Sequence, residues 1–129
     1  AEAIVYGRLP LMITENCLVQ NETGCRLDRQ GPCVPEDGPC RCGQPNVLVD
    51  RTGAAFPLLP AYGHRTEIQN SKPLYLADRP EHRRLGLAYA RLRFTAETAE
   101  ECVSVVQNYL DAAPAAGDFT RGLYERGVE

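Results

Sequence analysis

The residues best suited to chemistry in this sequence are its cysteines, because five of the six fall between positions 17 and 42. Their spacing is C-x7-C-x7-C-x6-C-x-C, and a histidine, His64, follows further along the chain. Thiolates are soft ligands for zinc and for iron–sulfur clusters, and imidazole also binds zinc. The spacing matches neither a C-x2-C zinc ribbon nor the C-x2-C-x2-C run of ferredoxins. It therefore indicates a metal site without identifying the metal.

Other interpretations of these cysteines stay open. Disulfides are typical of small secreted domains, but residues 1–11 lack the pattern of a signal peptide, and 129 residues with 43% apolar content can fold without such bonds. One thiolate could instead act in catalysis with His64 or His82, or the thiols could have no role. Cys102 differs from the other five, because it falls on the apolar face of a predicted helix, where a small buried hydrophobic residue is expected.

The elements that must position the cysteines are irregular at first and regular later. Residues 14–45 show no helical or strand periodicity, and residues 31–45 are rich in proline and glycine, so we predict a long Cys-rich loop there. A loop of that length in a compact domain is usually functional or disordered. Residues 46–50 and 54–59 flank a turn that contains Gly53, which predicts a β-hairpin. Because of Pro57, we expect the second hairpin strand at a sheet edge.

The rest of the chain predicts short strands and two helices. The other predicted strands are residues 3–6, a run that begins after Pro10, 65–69, 74–77 and 87–94. One predicted helix covers residues 79–85 and is capped by Asp78; the other follows Thr95 as its N-cap. The apolar face of the second helix is formed by Ala99, Cys102, Val103, Val106, Tyr109, Leu110 and Ala113.

This order of elements predicts an α/β fold class. Residues 74–113 read as a βαβα unit, whose natural outcome is a parallel pair of strands. A closed eight-stranded barrel needs about 200 residues or more, so we predict partial, TIM-barrel-like βα units together with the β-hairpin and the long Cys-rich loop.

Charge and hydropathy exclude some functions. A net charge of −3 disfavours non-specific binding to nucleic acid. No apolar run approaches the roughly 20 residues of a membrane span, so we expect a cytoplasmic protein without a membrane partner.

Arginines at positions 83, 84, 91 and 93 could form a patch for an anion or RNA, but such residues more often form a solvated face, and RNA is not the favoured partner. His82, which lies among charged residues, is expected to be exposed.

Four groups of residues occur in an order typical of one known family. They are YGRLPLM (residues 6–12) with ENC (15–17), DRTGA (50–54) with FP (56–57), NSKPLYLAD (70–78), and FTRG (119–122) with RG (126–127). Over nearly the whole chain, the sequence resembles the C-terminal region of the U32 family of collagenase-like peptidases. The resemblance implies that residues 1–129 are a single domain at the C-terminal end of a larger enzyme with a TIM-barrel-like catalytic region.

The resemblance also implies a function and partners. The U32 family is named for proteolysis, a hydrolase activity, so the implied partners are the remainder of the parent polypeptide and a protein or peptide substrate. Some relatives instead act in RNA hydroxylation or in ubiquinone synthesis and carry a [4Fe–4S] cluster on four cysteines. The family's motifs assign no catalytic residue, and we expect the 129 residues alone to be inactive. A non-catalytic accessory or binding module, and an RNA-modifying relative, are the alternatives.

The resemblance carries a ligand set over to this chain. Cys17 matches the first family cysteine, and Cys25 and Cys42 are the natural candidates for the next two. Relatives often have Gly-Cys-Arg where this chain has His64 between Gly63 and Arg65, so Cys40 or His64 is expected to supply the fourth ligand. The predicted site, for a [4Fe–4S] cluster or zinc, consists of Cys17, Cys25, Cys40, Cys42 and His64. Barrel strands without their neighbours expose apolar edges, so we also predict self-association.

Overall fold

The computed structural model describes residues 1–23 and 41–123. Within these ranges the chain forms seven strands and three helices. The strands are β1 (Glu2–Gly7), β2 (Pro10–Thr14), β3 (Asn46–Val49), β4 (Ala55–Ala61), β5 (Arg65–Gln69), β6 (Leu74–Tyr75) and β7 (Tyr89–Leu92), and the helices are α1 (Leu18–Thr23), α2 (Glu81–Arg84) and α3 (Ala99–Asp111). The chain, predicted as one domain, divides into two compact units: a terminal unit (Ala1–Leu9 and Lys72–Glu129) and a central unit (Pro10–Ser71).

The central unit is built on an antiparallel four-stranded sheet with the order β2-β5-β4-β3. The predicted hairpin is confirmed, since β3 pairs with β4 from Asn46 opposite Leu58 to Val49 opposite Ala55. Its turn is closed by the Asp50 carboxylate, which accepts hydrogen bonds from Thr52 N at 2.7 Å and Ala54 N at 3.0 Å. The sequence therefore predicted this element from its turn chemistry and flanking apolar runs.

Two predictions for the central unit are wrong. The strand that holds Pro57 is interior, but Pro57 pairs with β3 alone, because the pairing of β4 with β5 begins at Leu58. Pro60 in turn lies on the part of β4 that pairs with β5, so each proline lies opposite a residue of only one neighbouring strand. Residues 14–45 are also not wholly irregular, since α1 begins at Leu18.

The terminal unit contains a three-stranded sheet with the order β6-β1-β7. Strand β1 runs antiparallel to β6 and parallel to β7. The predicted parallel pair between the strands that start at residues 74 and 87 does not form, because β1 lies between them. The α/β class is confirmed in this coarser form, and in the described ranges neither sheet closes into a barrel.

Both predicted helices of the terminal unit start later than expected. Pro80, not Asp78, is the N-cap of α2, and Thr98, not Thr95, is the N-cap of α3. Thr98 forms a capping box with Glu101: Thr98 Oγ1 accepts from Glu101 N at 3.3 Å, and Thr98 N donates to Glu101 Oε2 at 2.7 Å. The T-x-x-E pattern was present in the sequence and is a known signature of a helix start.

The core of the terminal unit combines aliphatic and aromatic clusters. Val5, Leu74 and Leu76 form one buried cluster, and the other contains Tyr6, Tyr75 and Ala77. The rings of Tyr6, Tyr75 and Tyr109, which we call the tyrosine cluster, have centroids 5.5 to 6.4 Å apart, distances typical of favourable edge-to-face contacts.

Helix α3 packs on this core through Val105 and Tyr109 rather than through the whole predicted face. Val103 and Leu110 belong to the predicted face but are 70% and 72% exposed. Cys102 is half-buried, in partial agreement with its predicted structural role. No helix in the described ranges combines the length and apolar character needed to cross a membrane.

Candidate functional site

The site best suited to chemistry is a cavity of about 220 Å³ in the central unit, and Cys17, Cys42 and His64 all line it. These residues are separated by more than twenty positions in the sequence, yet each lies on a turn at the same end of the four-stranded sheet. Three of the five predicted metal ligands are therefore brought together by the fold. The other two, Cys25 and Cys40, lie outside the described residues.

Cys17 is held at the cavity by the pairing of β2 with β5. Thr14, the last residue of β2, lies opposite Thr66 of β5. Thr66 is 3% exposed, and its hydroxyl accepts a hydrogen bond from Leu18 N at 3.0 Å, which fixes the backbone directly after Cys17. The Cys17 thiol itself is 6% exposed. Its position is thus set by backbone contacts on both sides.

His64 lies in the turn between β4 and β5. Ala61 and Arg65 are the last paired residues on either side, which leaves a three-residue turn. Gly63 and His64 both have positive φ, +73° and +58°, a conformation that histidine adopts less readily than glycine. This backbone places the half-buried imidazole at the cavity. At the exposed rim, Arg65 Nη2 lies 3.1 Å from Glu15 Oε2.

Cys42 lies in a turn directly before β3. Gln44 N donates to Arg41 O at 3.0 Å, and the Asn46 side-chain amide donates to the carbonyl oxygens of both residues, at 2.9 Å for Arg41 and 2.8 Å for Gln44. These three hydrogen bonds hold the backbone on either side of Cys42. The thiol is half-buried.

The donor set at this cavity is suited in kind to a soft metal ion, but it is incomplete in the described part of the chain. Two thiols and an imidazole are the donors that zinc selects, and the apolar residues Val19, Leu58 and Leu59 limit solvent access to them. Within residues 1–23 and 41–123, however, no three His, Cys, Asp or Glu side chains are grouped so that they could hold a metal ion. The described residues alone therefore do not form a complete metal centre.

A second arrangement, in the terminal unit, joins two of the motifs quoted above. Asp78 ends the NSKPLYLAD motif, and Arg121 belongs to the FTRG motif. Their side chains form a two-pronged ion pair, with Nη1–Oδ1 at 2.6 Å and Nη2–Oδ2 at 2.8 Å, and Arg121 Nη1 also donates to Tyr75 O at 2.6 Å. The guanidinium lies 4.5 Å from the centre of the Phe119 ring. The hydrogen bonds from Arg121 lower the pKa of Asp78.

The sequence analysis missed this ion pair because it assigned Asp78 to a helix cap. The segment that carries Arg121 runs beside β6, where Thr120 N donates to Pro73 O at 2.9 Å and Tyr75 N donates to Thr120 O at 3.1 Å. Both partners belong to quoted motifs, which is the signal that could have suggested the contact. The pair fastens the C-terminal segment to the sheet.

The YGR motif has a structural explanation as well. Gly7 has φ +127°, and a Cβ atom there would overlap the carbonyl oxygen of Arg93. Arg93 N donates to Tyr6 O at 2.9 Å, so the two strand ends approach closely at this point. Tyr6 OH donates to Glu97 Oε1 at 3.2 Å, and burial raises the pKa of the phenol.

The predicted arginine patch is largely occupied by contacts within the terminal unit. Arg83 Nη2 donates to Tyr109 O at 3.0 Å, and Arg91 Nε lies 2.7 Å from Glu2 Oε1. The prediction that His82 is exposed is wrong, since its side chain is 6% exposed.

Comparison with known proteins adds no relative. No protein-family model, no curated protein and no solved structure matches this chain.

Proposed function

We propose that this chain is the C-terminal part of a U32-type peptidase and that its central unit holds a soft metal ion or an iron–sulfur cluster through thiolate ligands. The observation that carries the proposal is that Cys17, Cys42 and His64 all line one cavity. The three arise from distant segments, so local sequence alone does not bring them together. A reducing cytoplasm, which we propose as the compartment, keeps such thiols available to a metal.

The walls of the cavity support a thiolate site. Val19, Leu58 and Leu59 line the same cavity as the donors, and apolar residues around a metal site limit the access of water to it. The described donors are fewer than the four of a structural zinc site or a [4Fe–4S] cluster. We propose that Cys25 supplies a third thiolate and that either Cys40 or His64 completes the set of four.

The peptidase assignment rests on the motif resemblance. In the terminal unit residues of different motifs contact one another: Asp78 pairs with Arg121, and Tyr75 N donates to Thr120 O at 3.1 Å. These contacts support the proposal that the chain shares the family's local architecture, and the reaction follows from the resemblance alone.

Metal analysis of the full chain tests the site. We expect the protein, purified without oxygen, to contain iron or zinc in a stoichiometric amount. Cys17→Ser and Cys42→Ser should each lower the metal content at least severalfold, because each removes a thiolate ligand. Cys102→Ser is the matched control, since Cys102 lies in the terminal unit and should leave the metal content unchanged.

Two results would contradict the proposal. One is well-folded wild-type protein that contains neither metal; this result would favour the accessory or binding module. The other is an equal loss of metal in the Cys102→Ser protein and the Cys17→Ser protein, which would indicate general thiol binding or unfolding rather than a defined site.

We further propose that copies of the 129-residue chain associate through the edges of the central sheet. Strands β2 and β3 form its two edges, and their apolar side chains are exposed: 57% for Ile13 and 56% for Val47. Exposed apolar edge strands pair readily with other chains. Sedimentation velocity should show concentration-dependent association that Ile13→Lys and Val47→Lys reduce, whereas Tyr62→Lys, at a residue 97% exposed in a turn, leaves it unchanged. A monomer at every concentration would contradict the proposal.

A further inference from the structure

A second cavity, of about 400 Å³, lies in the terminal unit between α2, β7 and α3. This volume is in the range of sites that bind small organic molecules, roughly 300 to 1,000 Å³. Most of its lining is apolar and comes from Leu87, Ala90, Leu92, Val106 and Leu110. The polar side chains among its described lining residues are His82 and Arg83 of α2 and Tyr109 of α3, whose hydroxyl already donates to Val5 O and accepts from Leu76 N.

His82 is the unusual residue of this cavity. Its side chain is 6% exposed, and none of the described residues provides a hydrogen-bond partner for Nδ1. Buried polar nitrogens in native proteins nearly always have a partner, so one without a partner inside a cavity wall indicates a group that a ligand would satisfy. The imidazole can donate or accept there.

Arg83 determines the charge that such a ligand should carry. Its Nη2 donates to Tyr109 O at 3.0 Å, a bond that holds the guanidinium beside the cavity and uses one of its five N–H donors. No Asp or Glu is among the described residues that line the cavity. A carboxylate is therefore the complementary group, since it would accept from both His82 and Arg83.

We propose that this cavity binds an organic carboxylate with an apolar body, with the carboxylate at His82 and Arg83 and the body against the aliphatic wall formed by β7 and α3. The site is independent of the cysteine cavity, which lies in the other unit. Specificity would come from the two polar groups at one end, and affinity from burial of the apolar body.

Octanoate is a suitable probe, and octanol is the matched uncharged ligand. A titration of the full 129-residue chain followed by ¹H–¹⁵N NMR should give saturable shifts at the cavity residues. Octanol should bind about tenfold more weakly, the loss expected for one charge-assisted hydrogen bond. Arg83→Met should weaken octanoate binding by a similar factor. Arg84→Met changes the next arginine along α2, which does not line the cavity, and should leave binding unchanged.

His82→Phe gives a second test that keeps a flat aromatic ring and removes its nitrogens, and it should also weaken octanoate binding relative to octanol. If His82→Phe unfolds, the octanoate affinities of Arg83→Met and Arg84→Met still test the proposal, because both arginine side chains are exposed and their replacement should not unfold the protein. The proposal is overturned if octanoate gives no saturable shifts, or if the two arginine variants bind it equally. Shifts at the same residues on raising protein concentration without octanoate would also overturn it, because a second copy of the chain would then occupy the cavity.

Discussion

Loss of the Asp78–Arg121 ion pair should destabilise the terminal unit by about 2 kcal/mol. Exposed ion pairs contribute at most about 1 kcal/mol, and breaking a buried one costs about 3 to 5 kcal/mol. This pair lies between those limits, because its side chains are 15% and 25% exposed. Arg121→Met also removes the hydrogen bond to Tyr75 O and the contact with Phe119. We therefore expect about 2 kcal/mol for Arg121→Met and about 1 kcal/mol for the coupling to Asp78→Asn in a double-mutant cycle.

The stability that the Asp78–Arg121 ion pair contributes should decrease at acid pH. The pKa of Asp78 is lowered in the folded protein by the hydrogen bonds from Arg121. Its contribution to stability is therefore present above the unfolded value of about 4, and it is lost as pH falls through the lower folded value. The difference in unfolding free energy between wild type and Arg121→Met should narrow in this acid range. In the Asp78→Asn background, which lacks the titrating carboxylate, the effect of adding Arg121→Met should not change over the same range.

Urea unfolding followed by near-ultraviolet circular dichroism measures the free energy of unfolding of the terminal unit, because the tyrosine cluster that gives the signal lies there. Asp118→Asn is the control: Asp118 lies 3.9 Å from Lys72, both side chains are more than half exposed, and the change should be within about 0.5 kcal/mol of zero. The prediction is refuted if Arg121→Met lowers the free energy of unfolding no more than Asp118→Asn does, or if the coupling energy between Arg121→Met and Asp78→Asn is zero.

Three further predictions concern single residues. Gly7→Ala should destabilise the terminal unit by about 3 kcal/mol, because it adds a steric overlap to a backbone that disfavours side chains. Tyr109→Phe should cost about 2 kcal/mol, since the hydroxyl donates to Val5 O and accepts from Leu76 N. Burial raises the pKa of Tyr109 to about 12. The stability difference between wild type and Tyr109→Phe should therefore be largest below the unfolded pKa of about 10, and it should decline as pH rises toward 12. Ile13→Lys should shift the sedimentation of concentrated protein toward monomer.

The glycine and tyrosine predictions each have a matched control. Gly86 also has positive φ but no neighbouring atom within 4 Å of an added Cβ, so Gly86→Ala should cost about 1 kcal/mol; equal losses at Gly7 and Gly86 would disprove the steric argument. Tyr62→Phe should leave stability unchanged, because Tyr62 is 97% exposed. If Tyr109→Phe behaves like Tyr62→Phe, its hydroxyl bonds contribute nothing.

The sequence predicted those parts of the fold that depend on neighbouring residues. The β3–β4 hairpin follows from a turn closed by Asp50 and Gly53, and β5 was placed at its observed bounds, Arg65–Gln69. The sequence failed where strand order matters, because a strand pattern does not encode which strands pair. The parallel partner of β7 is β1, far away in the chain, rather than the nearest preceding strand.

Burial was predicted less well than secondary structure. Apolar periodicity placed Val103 and Leu110 on the packed face of α3, but the described core meets this helix along Val105 and Tyr109. His82 was expected in solvent because its neighbours are charged. A helix of four residues offers no periodicity from which its inward face could be identified.

The candidate site was predicted in part. Residue chemistry and the family resemblance selected Cys17, Cys42 and His64, and the fold places all three at one cavity. The cavity's apolar walls could not be predicted, because Leu58 and Val19 reach it through strand pairing and a short helix that the sequence pattern did not reveal.

X-ray absorption at the iron and zinc edges of the anaerobically purified full chain tests the central claim most directly, because it reports the atoms bound to the metal. The proposed site predicts sulfur ligands on a stoichiometric metal, and a spectrum that changes in Cys17→Ser and Cys42→Ser but not in Cys102→Ser. A spectrum with oxygen ligands alone, or folded protein without either metal, would contradict it.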